Sequence, residues 1–407
     1  MKVTEIKAKE DIVQAEVNIG VVGHVDHGKT SVVKALTEEW TDRHSEEVKR
    51  GITIKLGYAD ASIYECPSCN SYCTQKTCPK GHETRFLRKV SFVDCPGHES
   101  LMAIMMSGAS LMDGALLIIA ANEPCPQPQT VEHLAALEIS GIKNIVIVQN
   151  KVDLVSKEEA KRHHDSIKAF VKGSVAENAP IIPVAAHYNI NISEVVRAIE
   201  ERIKTPKRDA AKPFRMLIAR SFDVNKPNTK IESLVGGVIG GSITQGEIEP
   251  GSEIEIVPGA KIKDKFTPLK TKVMTISIKE GLVKKGRPGG LIALGTLLDP
   301  SLTKGDNLIG NVAGKPGTLP AVRNELTLES HLLEKVVGVE RVEPLKTNEV
   351  IVINSGTTTS VGVVLSVKKN EVKMVLKKPI CVEQGDKVGL SRKSATRWYL
   401  VGHGVVK

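Results

Sequence analysis

The chain has 407 residues, which is too long for one ordinary domain and predicts two or three. Its net charge of +9 favours an anionic partner, and its aromatic content of 3% argues against a platform that stacks single-stranded bases. The cysteines are clustered and not dispersed, which indicates a reducing compartment. Neither a signal peptide nor an apolar run of the ~18 residues needed to cross a bilayer is seen. We therefore expect a cytoplasmic protein without membrane contact.

The first half of the chain alternates between strand and helix patterns. Apolar runs predict strands at 17–25, 89–94, 114–122, 144–151 and 180–186, with amphipathic helices between them, for instance at 129–140 and 191–203. Strands separated by helices indicate βαβ units and a mostly parallel sheet. We therefore predict an α/β domain over residues 1–205.

The pattern changes at a charged, proline-bearing linker over residues 204–214. Beyond it, short β-branched runs are separated by glycines, which is typical of small antiparallel barrels. A second all-β stretch has its clearest strands at 349–367. We place the boundary between the two near Pro320 and assign residues 206–325 and 326–407 to two all-β barrel domains.

Residues 23–30, GHVDHGKT, match G-x-x-x-x-G-K-[ST] directly after a predicted strand and before a predicted helix, as a phosphate-binding P-loop requires. The glycines let successive N–H groups converge on phosphates, and the helix N-terminus adds its positive end. The lysine reaches the outer phosphates and the threonine hydroxyl can ligate Mg²⁺. The candidate nucleotide-binding residues here are Gly23, Asp26, His27, Gly28, Lys29, Thr30 and Ser31.

Residues 150–153, NKVD, identify the base because they stand at the end of a later strand of the same series. The Asp153 carboxylate can accept hydrogen bonds from two guanine N–H groups, and adenine offers no such pair. A site of this kind discriminates by roughly 10⁴-fold or more. With Asn150 and Lys151 completing the motif, the chain is predicted to bind GTP and GDP.

Two further segments are suited to sense the γ-phosphate. In DCPGH, again at a strand end, Asp94 is placed to hold Mg²⁺ through water, and Gly97 can donate its N–H to the γ-phosphate. His98 can orient the attacking water and is the predicted catalytic residue. In RGITI, residues 50–54, Thr53 could bind over the γ-phosphate and Mg²⁺, and its segment could be released after hydrolysis removes that phosphate. The predicted chemistry is a timed switch.

These four motifs resemble those of the translational GTPases in order and spacing, followed by two β domains as in elongation factor Tu. Residues 121–130, 220–229 and 391–404 look like those of the gamma subunits of archaeal translation initiation factor 2, and the resemblance covers nearly the whole chain. It implies a carrier that binds methionyl initiator tRNA in its GTP form, delivers it to the small ribosomal subunit and releases it after hydrolysis. It also implies a heterotrimer with alpha and beta subunits.

The resemblance explains the cysteine cluster, because gamma subunits carry a zinc knuckle before the DxPGH strand, expected here at about residues 64–84. Cys66 and Cys69 would form the first Zn²⁺ ligand pair and Cys78 would be the third ligand. The family's second Cys-x-x-Cys reads CPKGH here, so the fourth ligand is Cys73 or His82. Cys73 matches the family's ligand type and is favoured; His82 keeps the chain position of the missing ligand better. Four protein ligands make a closed, structural site.

A second departure from the family follows the last predicted strand, where Ala185 and Ala186 replace a common Ser-Ala pair. The Ala186 N–H could still meet the guanine oxygen, although the lost hydroxyl could loosen the loop. Residues 368–397 hold nine Lys or Arg against three Asp or Glu, which suits either an RNA backbone or an ordinary solvated strand face.

Three alternatives share parts of this pattern. A specialised elongation factor would deliver another aminoacyl-tRNA and would not co-purify with alpha and beta subunits. The GTPase subunit of sulfate adenylyltransferase shares the nucleotide motifs and a β domain but should bind no tRNA. The third is a non-catalytic GTP-binding scaffold. Measurable release of γ-phosphate that falls sharply in His98→Ala would exclude it.

Overall fold

The structure is a computed structural model that describes residues 12–41, 55–98, 101–333, 342–393 and 398–407. Strands and helices alternate in its first part. The elements are β1 Val17–Gly23, α1 Lys29–Thr37, β2 Gly57–Cys66, β3 Ser71–Cys73, β4 Arg85–Asp94, α2 Met102–Ala109, β5 Gly114–Ala120, α3 Pro128–Ile139, β6 Ile145–Asn150, α4 Lys157–Val171, β7 Ile181–Pro183 and α5 Ile192–Arg202.

These strands form one sheet in the order β3-β2-β4-β1-β5-β6-β7. The five strands from β4 to β7 in that order are parallel, which confirms the predicted α/β class, while β2 and β3 extend the sheet as antiparallel strands. All seven residues of β1 are buried. Its side chains alternate between faces, so Ile19 packs with α1 and α5, whereas Val22 packs with α2, α3 and α4.

The middle of the chain forms a barrel. Its elements are β8 Arg215–Phe222, β9 Val238–Gln245, β10 Glu253–Ile262, β11 Lys265–Ile278, β12 Gly281–Leu282, β13 Ile292–Thr296, α6 Pro300–Thr303 and β14 Val312–Gly314. The strands follow one another around the barrel in the order β10-β14-β8-β9-β13-β11, and pairing of β10 with β11 closes the ring, with β12 attached to β11.

The last part forms a second closed barrel of six strands in the order β15-β18-β17-β16-β19-β20. Both predicted barrels are therefore confirmed. Strand β15 begins at Val322, four residues before the predicted start of the third domain at residue 326. The strands are β15 Val322–Leu332, β16 Val350–Ser355, β17 Thr358–Lys368, β18 Glu371–Cys381, β19 Lys387–Lys393 and β20 Trp398–Val406.

Both barrels contact the α/β domain. In the first barrel, Glu280 forms an ion pair with the buried Lys89 of β4, and Asp306 lies 3.0 Å from the Lys55 ammonium. In the second barrel, Leu400 of β20 packs into the core cluster that contains Leu134 of α3. Within the described ranges, no helix has the length and apolar content needed to span a membrane.

Candidate functional site

The predicted phosphate loop connects the end of β1 to the start of α1. Gly23 has φ +144° and Gly28 has φ +86°, conformations that favour glycine. A Cβ atom at Gly23 would lie 2.3 Å from the carbonyl oxygen of Ile118, and one at Gly28 would lie 2.4 Å from Nδ2 of Asn150. Both glycines are therefore required by the local packing as well as by the backbone.

Thr30 and Asp94, the two predicted magnesium ligands in the described chain, lie side by side. The Thr30 hydroxyl donates to Oδ2 of Asp94 over 2.8 Å, and the Thr41 hydroxyl donates to the same atom over 2.6 Å. Asp94 is fully buried at the end of β4. Hydroxyl and carboxylate oxygens are the ligand types that Mg²⁺ prefers, so the donor set fits this ion.

The segment that contains Gly97 lies directly against the phosphate loop. A Cβ atom on Gly97 would lie 2.4 Å from Nζ of Lys29 and 2.9 Å from the Val25 amide nitrogen. The Lys29 ammonium donates to the His24 carbonyl over 2.6 Å. His98 is exposed beside this contact. The predicted γ-phosphate sensor and the phosphate lysine are thus adjacent, while Thr53 falls outside the described residues.

Asn150 joins the phosphate loop to the predicted guanine loop. Its Nδ2 donates to the His27 carbonyl over 3.0 Å, and its Oδ1 accepts from the Ala186 N–H over 3.1 Å. Lys151 follows in the left-handed region at φ +61°, and Asp153 is exposed in a short 3₁₀ turn. Because the Ala186 N–H already has an acceptor, its predicted contact with the guanine oxygen requires this hydrogen bond to be shared or exchanged.

The remaining predicted phosphate-loop residues differ in exposure. Asp26 is exposed at φ +60°, and Ser31 is half-buried in the first turn of α1. The His27 ring is fully buried, with Nδ1 at 3.1 Å from the Ile118 carbonyl oxygen and Nε2 at 3.4 Å from Glu123. Burial lowers the pKa of His27 to about 4. A nucleotide contact by His27 would therefore come from its main chain.

Sequence reasoning missed His133 of α3. Its Nδ1 accepts a 2.9 Å hydrogen bond from the backbone N–H of Gly23, and only 1% of the residue is exposed. In the sequence, His133 is simply a histidine within the predicted helix 129–140. The sequence pattern of that helix does not indicate a contact with a loop about 110 residues earlier.

The cysteine cluster brings together Cys66, Cys69, Cys78 and His82, whose ligand atoms all lie within 4.8 Å of one another. Nδ1 of His82 is 3.1 Å from Sγ of Cys69, and the sulfurs of Cys69 and Cys78 are 3.8 Å apart. Burial raises the pKa of Cys78, but hydrogen bonds to backbone groups of His82 and Lys80 outweigh it and lower the value to about 7. Three thiols and one imidazole fit a tetrahedral zinc site.

Cys73, the predicted fourth ligand, does not join this group, and His82 takes the fourth place in it. The Cys73 thiol donates to the Gln75 carbonyl over 3.2 Å, and the residue lies outside the group of four. A tight turn is responsible, because the N–H of Gly81 donates to the Cys78 carbonyl and the N–H of Cys78 donates to the His82 carbonyl. This turn brings the His82 ring back to the cysteines.

Comparison with known proteins agrees with this architecture. The family described as "Elongation factor Tu GTP binding domain" matches residues 14–205. The bacterial selenocysteine-specific elongation factor EF-Sec is similar with a TM-score of 0.75 and 26% identity, over 97% of this chain and 58% of that chain. The elongation factor SelB of Methanococcus maripaludis, solved with the GTP analogue GppNHp, has a TM-score of 0.73 at 21% identity, over 97% of this chain and 80% of that one. The fold and the nucleotide motifs define a translational GTPase, an enzyme that hydrolyses GTP.

Similar curated relatives identify the family within the translational GTPases. The family described as "Initiation factor eIF2 gamma, C terminal" matches residues 324–406. Translation initiation factor 2 subunit gamma of Pyrococcus horikoshii is 56% identical over 402 residues, covering 97% of this chain and 98% of that protein. Its counterpart in Methanocaldococcus jannaschii is 56% identical over 407 residues, covering 98% and 99%. The chain belongs to the gamma subunits of translation initiation factor 2.

Proposed function

We propose that this translational GTPase carries methionyl initiator tRNA to the small ribosomal subunit and releases it after GTP hydrolysis. The observation that carries the proposal is the contact between Gly97 and Lys29, where a Cβ atom would lie 2.4 Å from the ammonium. A γ-phosphate bound to Lys29 would lie beside this segment, which is how we propose that its presence is sensed. The names of the relatives support a role in translation initiation, and the cargo is the one that the family resemblance implies.

Each residue of the site has a proposed role. Lys29 neutralises charge on the outer phosphates, the Gly97 N–H donates to the γ-phosphate, and His98 orients the attacking water. Thr53 would close over the same phosphate from its own segment. The residues that hold the guanine and line the phosphates are Gly23, Asp26, His27, Gly28, Ser31, Asn150, Lys151, Asp153, Ala185 and Ala186.

Two metal ions are part of the proposal. Thr30, Thr53 and Asp94 would hold Mg²⁺, which when bound neutralises negative charge on the β- and γ-phosphates. Cys66, Cys69, Cys78 and His82 would hold Zn²⁺ in a closed site whose role is structural. Because that set leaves no open ligand position, we assign it no part in hydrolysis.

The proposed partners are alpha and beta subunits of the same factor, in the cytoplasm. RNA contact is supported by the net charge of +9 and by the basic stretch 368–397 in the second barrel. The low aromatic content of 3% favours recognition of the RNA backbone over stacking of bases.

Filter binding of charged initiator and elongator tRNAs, each with GDP and with an uncleavable GTP analogue, tests this proposal. We expect the initiator tRNA to bind at least about tenfold more tightly with the analogue than with GDP, and more tightly than the elongator tRNA. Preference for an elongator tRNA would support a specialised elongation factor. Binding of neither tRNA, with GTP hydrolysis intact, would contradict the carrier function and favour the sulfate-activating type of GTPase.

A further inference from the structure

Helix α3 is held in place from two sides. It packs against β1 and β5 of the sheet on one side and against β19 and β20 of the second barrel on the other. Leu134 and Leu137 of α3 share a buried cluster with Leu400 of β20. Packing on both sides restricts the movement of α3, so a side chain that projects from it toward the sheet has a fixed position.

His133 projects from this helix to the first residue of the phosphate loop. Its Nδ1 lies 2.9 Å from the backbone nitrogen of Gly23, and both groups are buried. A backbone N–H always donates, so Nδ1 must be unprotonated and the ring proton must sit on Nε2. A buried N–H left without an acceptor is destabilising, so the peptide at Gly23 depends on this imidazole.

The Gly23 peptide has little other freedom. A Cβ atom there would lie 2.3 Å from the Ile118 carbonyl oxygen, so the backbone already touches β5 on that side. Its hydrogen bond to His133 acts together with the contact with β5 to fix how the peptide is rotated, and with it the direction in which the following N–H groups of the loop point.

The imidazole is suited to this role over a wide pH range. Burial lowers the pKa of His133 to about 3, and the positive charge of Lys29 acts in the same direction, as would protonation of His24 or His27. The ring stays neutral, and Nδ1 stays an acceptor, at every pH at which the protein works.

We propose that His133 is a positioning residue for the nucleotide: it orients the Gly23 peptide so that the phosphate loop keeps its binding conformation, and thereby slows nucleotide release. This inference rests on the assignment of residues 23–30 as the phosphate loop but not on the tRNA cargo. It adds a determinant of nucleotide affinity on a helix outside the four sequence motifs.

Two isosteric substitutions separate positioning from packing. In His133→Asn the side-chain carbonyl can occupy the place of Nδ1 and still accept from Gly23, whereas the carbonyl of His133→Gln reaches beyond it. We measure release of a fluorescent GDP analogue after a chase with excess GDP. Release should be about tenfold faster in His133→Gln and within about threefold of the wild type in His133→Asn.

His163 of α4 provides a matched control. It is also buried, and its Nδ1 lies 3.1 Å from Gln149 of β6 instead of accepting from the backbone of the phosphate loop. His163→Gln should change GDP release by less than about twofold. Equal acceleration by His133→Gln and His163→Gln, or by His133→Gln and His133→Asn, would show that His133 only fills space and would overturn the proposal.

A spectroscopic readout on the wild-type protein covers the case in which a variant fails to fold. Nitrogen NMR of the His133 ring should show an unprotonated Nδ1 and a protonated Nε2 between about pH 6 and 9. A proton on Nδ1 is incompatible with the bond from Gly23 and would contradict the proposal. Failure of tRNA binding would leave both readouts unaffected, so the two proposals can be judged separately.

Discussion

The phosphate loop and the cysteine cluster belong to the same sheet but are stabilised in different ways. The phosphate loop leaves β1 in the interior of the sheet, whereas the cluster begins at Cys66, the last residue of β2, and continues in the loops on either side of the edge strand β3. The loop donates to Nδ1 of His133 and to the Ile118 carbonyl and accepts from Nδ2 of Asn150, so hydrogen bonds join it to three neighbouring elements. A loop in the interior of a sheet has neighbours on both sides, and these can hold its shape before any ligand arrives.

The cluster has few such neighbours. Its buried apolar contacts are largely among its own cysteines, and most of the residues from 75 to 83 are exposed. A segment that buries so little cannot offset its conformational entropy through packing alone, and a metal ion can supply the difference. A loop in the interior of the sheet can thus be held by protein neighbours, whereas the cluster at the edge lacks them and would gain its stability from the proposed zinc ion.

The largest effect is expected at the guanine end. In Asp153→Asn an amide presents a donor where guanine also donates, so preference should move from GTP toward xanthosine triphosphate by about 10⁴-fold. Competition binding of the two nucleotides measures this ratio. Asp165→Asn, on α4, is the control and should keep the wild-type preference. Unchanged GTP affinity in Asp153→Asn would mean that the base pocket is misassigned.

The next effect is at the phosphates. Lys29→Ala should weaken GTP binding by at least about a hundredfold, because charge-assisted hydrogen bonds to phosphate are lost. Lys34→Ala, on the same helix, removes a cation that lies over Trp40 instead and should change affinity by less than about threefold. Calorimetric titration with both variants checks this. Similar affinities for the two variants would show that Lys29 does not reach the phosphates.

At the sheet edge, the ligand set can be tested by metal content. His82→Ala should weaken zinc binding on the order of a hundredfold, because one of four ligands is lost. Cys73→Ser should bind zinc as the wild type does, since its thiol faces the Gln75 carbonyl. Competition with a zinc indicator measures both affinities. The reverse result would restore Cys73 as the fourth ligand.

The smallest effect on nucleotide affinity is expected for the hydrogen bonds that join the cysteine cluster to the helices α1 and α5 near the nucleotide site. Gln75 donates to Glu38 after α1 over 2.5 Å, and Arg197 of α5 donates to the Asn70 carbonyl over 2.8 Å. Both contacts are exposed, and such contacts contribute little. Gln75→Ala and Arg197→Ala should each change GDP affinity by less than about twofold in fluorescence titration. A larger change would show that the cluster acts on the nucleotide site.

The features that could be predicted from the sequence are those with a local signal. The phosphate loop was predictable because its phosphate-binding function requires glycines, a lysine and a threonine at a fixed spacing between a strand and a helix. Gly23, Gly28, Lys29 and Thr30 meet that requirement. The two barrels were predictable in kind, since glycine-punctuated β-branched runs are typical of such folds. Their closure depends on pairings such as β10 with β11, which local patterns do not reveal.

The features that sequence reasoning missed are tertiary. The bond between His133 and Gly23 joins residues about 110 positions apart and required the packing of α3 to be known. The choice between Cys73 and His82 depended on how the turn from Cys78 to His82 directs one ring. Residue type favoured one ligand and chain position the other, and only the backbone path distinguishes them.

The most direct test of this account is the affinity for GDP with and without zinc. The wild-type chain is stripped with a chelator, its metal content is confirmed, and GDP binding is compared with that of the zinc-loaded chain in magnesium-containing buffer. If the phosphate loop is held by its protein neighbours, the two dissociation constants agree within about threefold. A loss of tenfold or more on stripping, in a chain that remains folded, would contradict the claim that the loop keeps its shape independently of the cluster.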